Sequence, residues 1–427
     1  MITVLGQIGT SPPDESAALV NAADLVIGAR RHLDAAGVPA DRALALGPLA
    51  PALDTVAALL AKDPDARVLV LASGDPGFFG IVRSLAERFG ADALDVRPGV
   101  SSIAQAFARL GVPWDDAVVV SAHGRDPRPA LNICRAQPKV AVLTAPGAGP
   151  AEIGAALTAM PGLHRRLVVA TDLGGPAEAL VELTPAEAAA RDWPVVNVVL
   201  CLADTAAPVA TAMRSVAGHP GPPEGGWALP ESAFAHRDAM LTKAEVRAVA
   251  LARLGPRLGE LVWDVGAGSG SVAVECARLG AAAVAVERAA DGVERIRANA
   301  AAHGVAHAVA VVHGHAPEAL ADLPDPDAVF VGGGGADLAD VVALAAARAR
   351  RTVVVTLAAL DRVPEARRAL LAAGLTVEGV QLQANRLAPL PGDVTRLAAT
   401  NPVFVLWGLR PVAAGPATAN VSQGVST

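Results

Sequence analysis

Asp264-Val265-Gly266-Ala267-Gly268-Ser269-Gly270 joins an apolar run, Leu261–Val265, to an Ala-rich helical stretch. Three glycines at alternate positions let a backbone turn tightly and approach a ligand closely, and the helix that follows opens with unpaired N–H groups. A nucleotide-like ligand fits such a loop. A tight strand-to-helix turn with no ligand would use the same glycines. A dinucleotide fold calls for Gly-X-Gly-X-X-Gly, and its last glycine falls here on Ser271. The Asp264 carboxylate suits the ammonium of a methionine moiety and would repel a pyrophosphate. Both points favour S-adenosylmethionine over NAD. At the end of the next strand, Glu287 is placed to accept hydrogen bonds from two ribose hydroxyls.

Around this loop the chain alternates short apolar runs with amphipathic stretches, the pattern of α/β proteins. After a helix over 243–254, strands are expected at 261–265, 283–287, 309–312, 328–331 and 352–356. Segments 376–383 and 402–409 are expected to pair antiparallel at the sheet edge. An earlier alternation gives strands at 2–5, 25–27, 67–72, 117–121, 140–143, 167–170 and 195–201. Between them the pattern dissolves into Pro, Gly and Ala, including Pro220-Gly221-Pro222-Pro223. The expected organisation is therefore a module over 1–204, a linker over 205–226, a second module over 227–412 and a disordered tail over 413–427.

Composition narrows the function. With 52% hydrophobic and 18% charged residues, the chain still has no apolar stretch near the roughly 18 residues a bilayer span needs. Its start shows no secretory signal, so a cytoplasmic, non-membrane protein is expected. A net charge of -7 and 3% aromatics lack the basic stripe and stacking platform of nucleic-acid binding. Cys134, Cys201 and Cys276 are odd in number and far apart, which suits reduced packing thiols. His303, His307, His313 and His315 cluster in sequence, but no carboxylate or thiolate stands at ligand spacing beside His303 and His307, so no metal is expected.

In the first module, Ser73-Gly74-Asp75-Pro76-Gly77-Phe78-Phe79-Gly80 and Arg97-Pro98-Gly99-Val100-Ser101-Ser102 each follow a short strand. Either reads as a ligand loop or as an ordinary turn. Their order, continued by Pro113-Trp114-Asp115-Asp116-Ala117, Ser121-Ala122-His123-Gly124-Arg125 and Asn197-Val198-Val199-Leu200, resembles the tetrapyrrole methylase family, in its precorrin-6Y C5 branch. Gly28-Ala29-Arg30-Arg31-His32-Leu33 is similar to that family's stretch after its second strand. Leu241-Thr242-Lys243-Ala244-Glu245-Val246-Arg247, with the glycine loop, resembles the decarboxylating C15-methyltransferase module of the same cobalamin pathway.

The resemblance implies a tetrapyrrole-methylase (class III) fold followed by a class I Rossmann-like methyltransferase, each with its own S-adenosylmethionine. The donor would be held by Gly74, Asp75, Ser101 and Ser102 in the first module. In the second, the matching positions are Thr242, Gly266, Ala267, Gly268, Ser269, Gly270, Glu287 and Ala316. The implied reaction methylates precorrin-6B at C5 and C15 and decarboxylates its C12 acetate side chain, giving precorrin-8. Arg125, Lys243 and Arg247 are candidate cations for the substrate carboxylates, solvated surface charge being the commoner fate of such residues. The glycine run 332–335 would leave room for a bulky substrate, or form a flexible loop. Two motifs depart from the family. Gly6-Gln7-Ile8-Gly9-Thr10 lacks its Gly-Pro-Gly run, so this loop is left out of the expected site. Gly314-His315-Ala316-Pro317 has His where an Asp commonly accepts the adenine amine. Related methylases self-associate, so a homo-oligomer is expected. The competing readings are a methyltransferase of another small molecule, a nucleotide-binding oxidoreductase and a noncatalytic scaffold.

Overall fold

In a computed structural model, residues 1–9, 16–204, 217–218, 225–237, 241–333 and 335–411 are described. Most of the expected linker, all of the expected tail, Thr10 and Gly334 lie outside them. The chain divides into two compact units, Met1–Ala159 with Leu163–Gly221, and Pro222–Thr427 with the three residues Met160–Gly162.

Among the described residues, ten strands build the first unit: β1 (Ile2–Gln7), β2 (Leu25–Gly28), β3 (Ala43–Ala45), β4 (Val68–Ser73), β5 (Leu94–Arg97), β6 (Val118–Ser121), β7 (Lys139–Leu143), β8 (Arg165–Thr171), β9 (Ala179–Leu183) and β10 (Asn197–Ala203). They form two five-stranded sheets. The first, in the order β3-β2-β4-β1-β5, is wholly parallel. Apolar residues cover both of its faces, as parallel strands require: Val4 and Val70 pack with Val56 on one side, Leu5 and Leu71 with Val20 on the other. The second sheet, β6-β7-β10-β8-β9, is parallel only between β6 and β7.

Among the described residues of the second unit, nine strands follow: β11 (Leu261–Val265), β12 (Ala282–Glu287), β13 (Val309–His313), β14 (Ala328–Gly332), β15 (Thr352–Leu357), β16 (Thr376–Leu382), β17 (Asn385–Leu390), β18 (Val394–Ala399) and β19 (Val403–Leu409). Seven of them form one sheet in the order β13-β12-β11-β14-β15-β19-β16, parallel from β13 to β15. The expected antiparallel pair is there, with Thr376 opposite Leu409. The pair forms the sheet edge, with β16 outermost and β19 between it and β15. Chain order reverses at the β11/β14 boundary, and open α/β sheets bind ligands at the carboxyl ends of strands at such a switch point.

β3, β9 and the hairpin β17–β18 are absent from the strand expectations. In the hairpin neither face is buried, with Leu387 at 78% and Leu397 at 65% exposure, so no alternation marks it. Among the described residues, no helix is long and apolar enough to cross a membrane.

Candidate active sites

The loop after β11 makes one wall of a cavity of about 780 Å³. Gly266, Gly268 and Gly270 take φ of +71°, +59° and +73°, a region closed to most side chains. Gly270 also abuts Ile296, whose Cγ2 would stand 2.8 Å from a Cβ there. Asn299, buried behind the loop, donates to the Ser269 carbonyl. Asp264 ends up beneath the helix Ser271–Arg278, where one carboxylate oxygen accepts the Ala273 N–H at 2.9 Å and caps the helix start. Its other oxygen, buried at the cavity wall, has no partner. Burial pushes the Asp264 pKa up to about 7, the Glu287 carboxylate adding to the rise and the Ala273 N–H opposing it.

Glu287 closes the loop from β12. One oxygen accepts the Gly268 N–H at 2.8 Å and the other the Ala289 N–H at 2.9 Å, which fixes the carboxylate at the cavity edge. Each oxygen keeps a lone pair for a ligand hydroxyl. Thr242, Lys243, Ala267, Ser269 and Ala316 line the same cavity with Gly266 and Gly268, whereas Gly270 stands behind it. Lys243 is half-buried there, with no ion-pair partner among the described residues. His315 lines the wall too, its ring nitrogens 3.4 Å from Glu318 and 3.6 Å from Asp337. Gly332, Gly333 and Gly335 border the opening left beside β14.

Arg247 corrects the sequence expectation. It is fully buried, donating to Glu275 at 2.5 Å, to the Thr242 carbonyl at 2.5 Å and to the Leu229 carbonyl, with its guanidinium over the Phe234 ring. Helical phase turns this side chain to the core, so it holds the segment carrying Thr242 and does not face a substrate. The histidines do not converge. His303 bonds the Ala233 carbonyl and His313 the Arg288 carbonyl. Among the described residues, no group of three His, Cys, Asp or Glu side chains is placed to hold a metal.

In the first unit a second cavity, of about 330 Å³, is lined by all four expected donor residues, Gly74, Asp75, Ser101 and Ser102. Asp75 Oδ1 accepts the Gly77 N–H, and Ser101 caps its helix through the Ala104 N–H. Phe79 and Asp172, at φ of +56° and +47°, line this cavity as well, and such backbone strain persists where surrounding structure enforces it. Arg125 is exposed beside the cavity, 5.6 Å over the Phe79 ring. Residues 6–9 of the loop left out of the expected site border this cavity. Gly6 abuts the Gly74 carbonyl and the Gly99 nitrogen so closely that a Cβ would collide with both, and Gln7 and Gly9 line the wall. Gln105, Thr144 and Asn197 line it too. The fold gathers Gln105 and Thr144 from separate parts of the chain, so no local motif announces them, whereas Asn197 opens a stretch that carries the family resemblance.

An acid before a Gly-X-Gly-X-Gly loop, a second acid closing that loop from the next strand, and this sheet order make the second unit a class I methyltransferase. Residues 232–410 match the precorrin methyltransferase domain, and residues 15–189 match the tetrapyrrole (corrin/porphyrin) methylases. A precorrin-6Y C(5,15)-methyltransferase [decarboxylating] of Sinorhizobium is 36% identical over 76% of this chain and 75% of its own length. The chain belongs to that family. A probable cobalt-precorrin-6B C(15)-methyltransferase (decarboxylating) of Pyrobaculum calidifontis is 37% identical over 42% of this chain and 93% of its own length. A cobalt-precorrin-7 C(5)-methyltransferase of Salmonella typhimurium is 31% identical over 36% of this chain and 74% of its own length.

Proposed function

We propose that this chain converts precorrin-6B to precorrin-8 by two methyl transfers and one decarboxylation, the second unit acting at C15 and the first at C5. What supports the division is the presence of one glycine-walled cavity in each unit. The C15 step comes first in this reading, which the names of two relatives support, a probable cobalt-precorrin-6B C(15)-methyltransferase (decarboxylating) and a cobalt-precorrin-7 C(5)-methyltransferase. The enzyme works in the cytoplasm as a homo-oligomer, without nucleic acid or membrane.

S-adenosylmethionine supplies an activated methyl group, so the protein's work is alignment and exclusion of water. The glycine cradle and the unpaired Asp264 oxygen fit such a ligand. In the second unit Gly266, Ala267, Gly268, Ser269 and Gly270 form the cradle, Glu287 takes the ribose, and Thr242 and Ala316 flank it. Lys243 offers an ammonium to the substrate carboxylates. In the first unit Gly74, Asp75, Ser101 and Ser102 hold the donor, and Arg125 offers a guanidinium. Val265, Val272, Val286, Phe330 and Val403 keep the wall of the second unit's cavity apolar.

The test is the product mass after incubating the full chain with precorrin-6B and labelled donor. Two added methyl groups and the loss of one carbon dioxide are expected. Asp75→Ala is expected to stop at one methyl with carbon dioxide lost, and Gly268→Ala to block the C15 step. An unchanged substrate mass with donor bound would discard the corrin substrate.

Asp264 makes the second site sensitive to pH. The unfolded carboxyl ionises near 3.8 and the folded one near 7, so its contribution to stability falls as pH rises between those values. An ammonium beside the unpaired oxygen draws the pKa back down. S-adenosylhomocysteine binding is therefore expected to release a proton near pH 7 and to tighten as pH rises through 7. Titration calorimetry in buffers of different ionisation enthalpy measures that proton, and Asp264→Asn is expected to abolish its release.

A further inference from the structure

Along β1 and β4 the first unit carries polar side chains that neither the donor loops nor the core uses. Gln7 and Ser73 are register partners on these neighbouring parallel strands, so their side chains leave the sheet on the same side. From the helix Arg30–Ala35, Arg31 Nη2 donates to Ser73 Oγ at 2.8 Å, and His32 Nε2 meets the same oxygen at 2.8 Å. Gln7, Arg31 and Ser73 all line the cavity of the first unit. Alternation along β1 turns Gln7 away from the side on which Gly6 abuts Gly74 and Gly99.

Two features of this row call for a ligand. Gln7 is 1% exposed, yet neither its amide nitrogen nor its amide oxygen has a partner. Buried polar groups are almost always paired, so an orphaned amide at a cavity wall marks a place where something else supplies the bonds. Arg31 has no carboxylate partner among the described residues, while Ser73 fixes its guanidinium at the same wall. Burial, reinforced by the Arg31 charge, lowers the His32 pKa to about 4, which leaves the guanidinium as the cation of the row at neutral pH.

We infer that Arg31 and Gln7 form a carboxylate subsite that seats one acidic side chain of the tetrapyrrole in the first unit. The guanidinium pairs with the carboxylate, the Gln7 amide nitrogen donates to it, and the amide oxygen accepts from a ring N–H. Ser73 acts as a positioning residue through Arg31. The inference rests on the proposed C5 reaction and adds the residues that orient its substrate. The methionine carboxylate of the donor has the same chemistry, and the experiment separates the two sources.

Full-length Arg31→Ala, Arg31→Lys and Gln7→Leu proteins are compared with the unaltered chain. Affinity for S-adenosylhomocysteine is measured by titration calorimetry, and KM and kcat for the C5 step by product mass. Loss of one charge-assisted contact is expected to raise KM for the tetrapyrrole about tenfold in Arg31→Ala. Gln7→Leu raises it less, Arg31→Lys recovers part of the loss, and affinity for S-adenosylhomocysteine is unchanged. The singly methylated, decarboxylated intermediate then accumulates. An unchanged KM overturns the inference, and so does a parallel loss of S-adenosylhomocysteine affinity, which assigns the row to the donor. If the unaltered chain transfers no methyl group, the proposed function fails instead.

Discussion

Arg247→Ala is expected to lower the stability of the second unit by about 3–5 kcal/mol, the cost of stranding a buried charge. Arg247 and Glu275 are both fully shielded from solvent. Without the guanidinium, the Glu275 carboxylate keeps only the Ala228 and Leu229 N–H groups as partners, and the Leu229 and Thr242 carbonyls lose their donor. The segment carrying Thr242 and Lys243 to the cavity is thereby released, so donor affinity falls with stability. Denaturant unfolding of the full chain, followed by hydrogen exchange in the 244–254 helix, measures the change. Replacing both partners, Arg247→Met with Glu275→Leu, is expected to recover much of the loss because no charge remains buried. An undiminished unfolding midpoint with a weakened substrate dependence would return Arg247 to the substrate-facing role that its motif first indicated.

Gly6→Ala is expected to close the first site. The new methyl group meets the Gly74 carbonyl and the Gly99 nitrogen, which are backbone on both sides and cannot swing away as a side chain does. The donor loops must move apart, at a cost of about 3 kcal/mol. Titration with S-adenosylhomocysteine is expected to drop from two sites per chain to one, with the site in the second unit intact. Two remaining sites of unaltered affinity would show that the loops do not need this close approach.

What could be read in advance follows from the range over which each feature is encoded. The glycine loop and Glu287 are contiguous with the strands that carry them, and β11 to β15 are apolar on both faces, so the second unit and its cradle stood out. The face that a helical side chain presents is set by tertiary packing. Arg247 therefore looked free to meet a substrate, when its partner Glu275 lies 28 residues away on another helix. Gln7 and Arg31 were illegible for a related reason. Their meaning depends on the register of β1 with β4, 66 residues apart at Gln7 and Ser73, and on the helix after β2. The departure of this loop from the family pattern hid its place in the cavity.

The position of β19 has a consequence for biosynthesis. β15 and β16 each take β19 as antiparallel neighbour, so a strand made later fills the gap between two made earlier. Until Val403–Leu409 has emerged from the ribosome, β15 presents an open edge and β16 lacks the neighbour that binds it to the sheet. Val405 and Trp407 also belong to the core beneath the helix Ala244–Leu254, which waits for them as well. The seven-stranded sheet therefore closes only after synthesis of β19, and a message truncated before residue 403 yields an open-edged sheet suited to chaperone capture or aggregation.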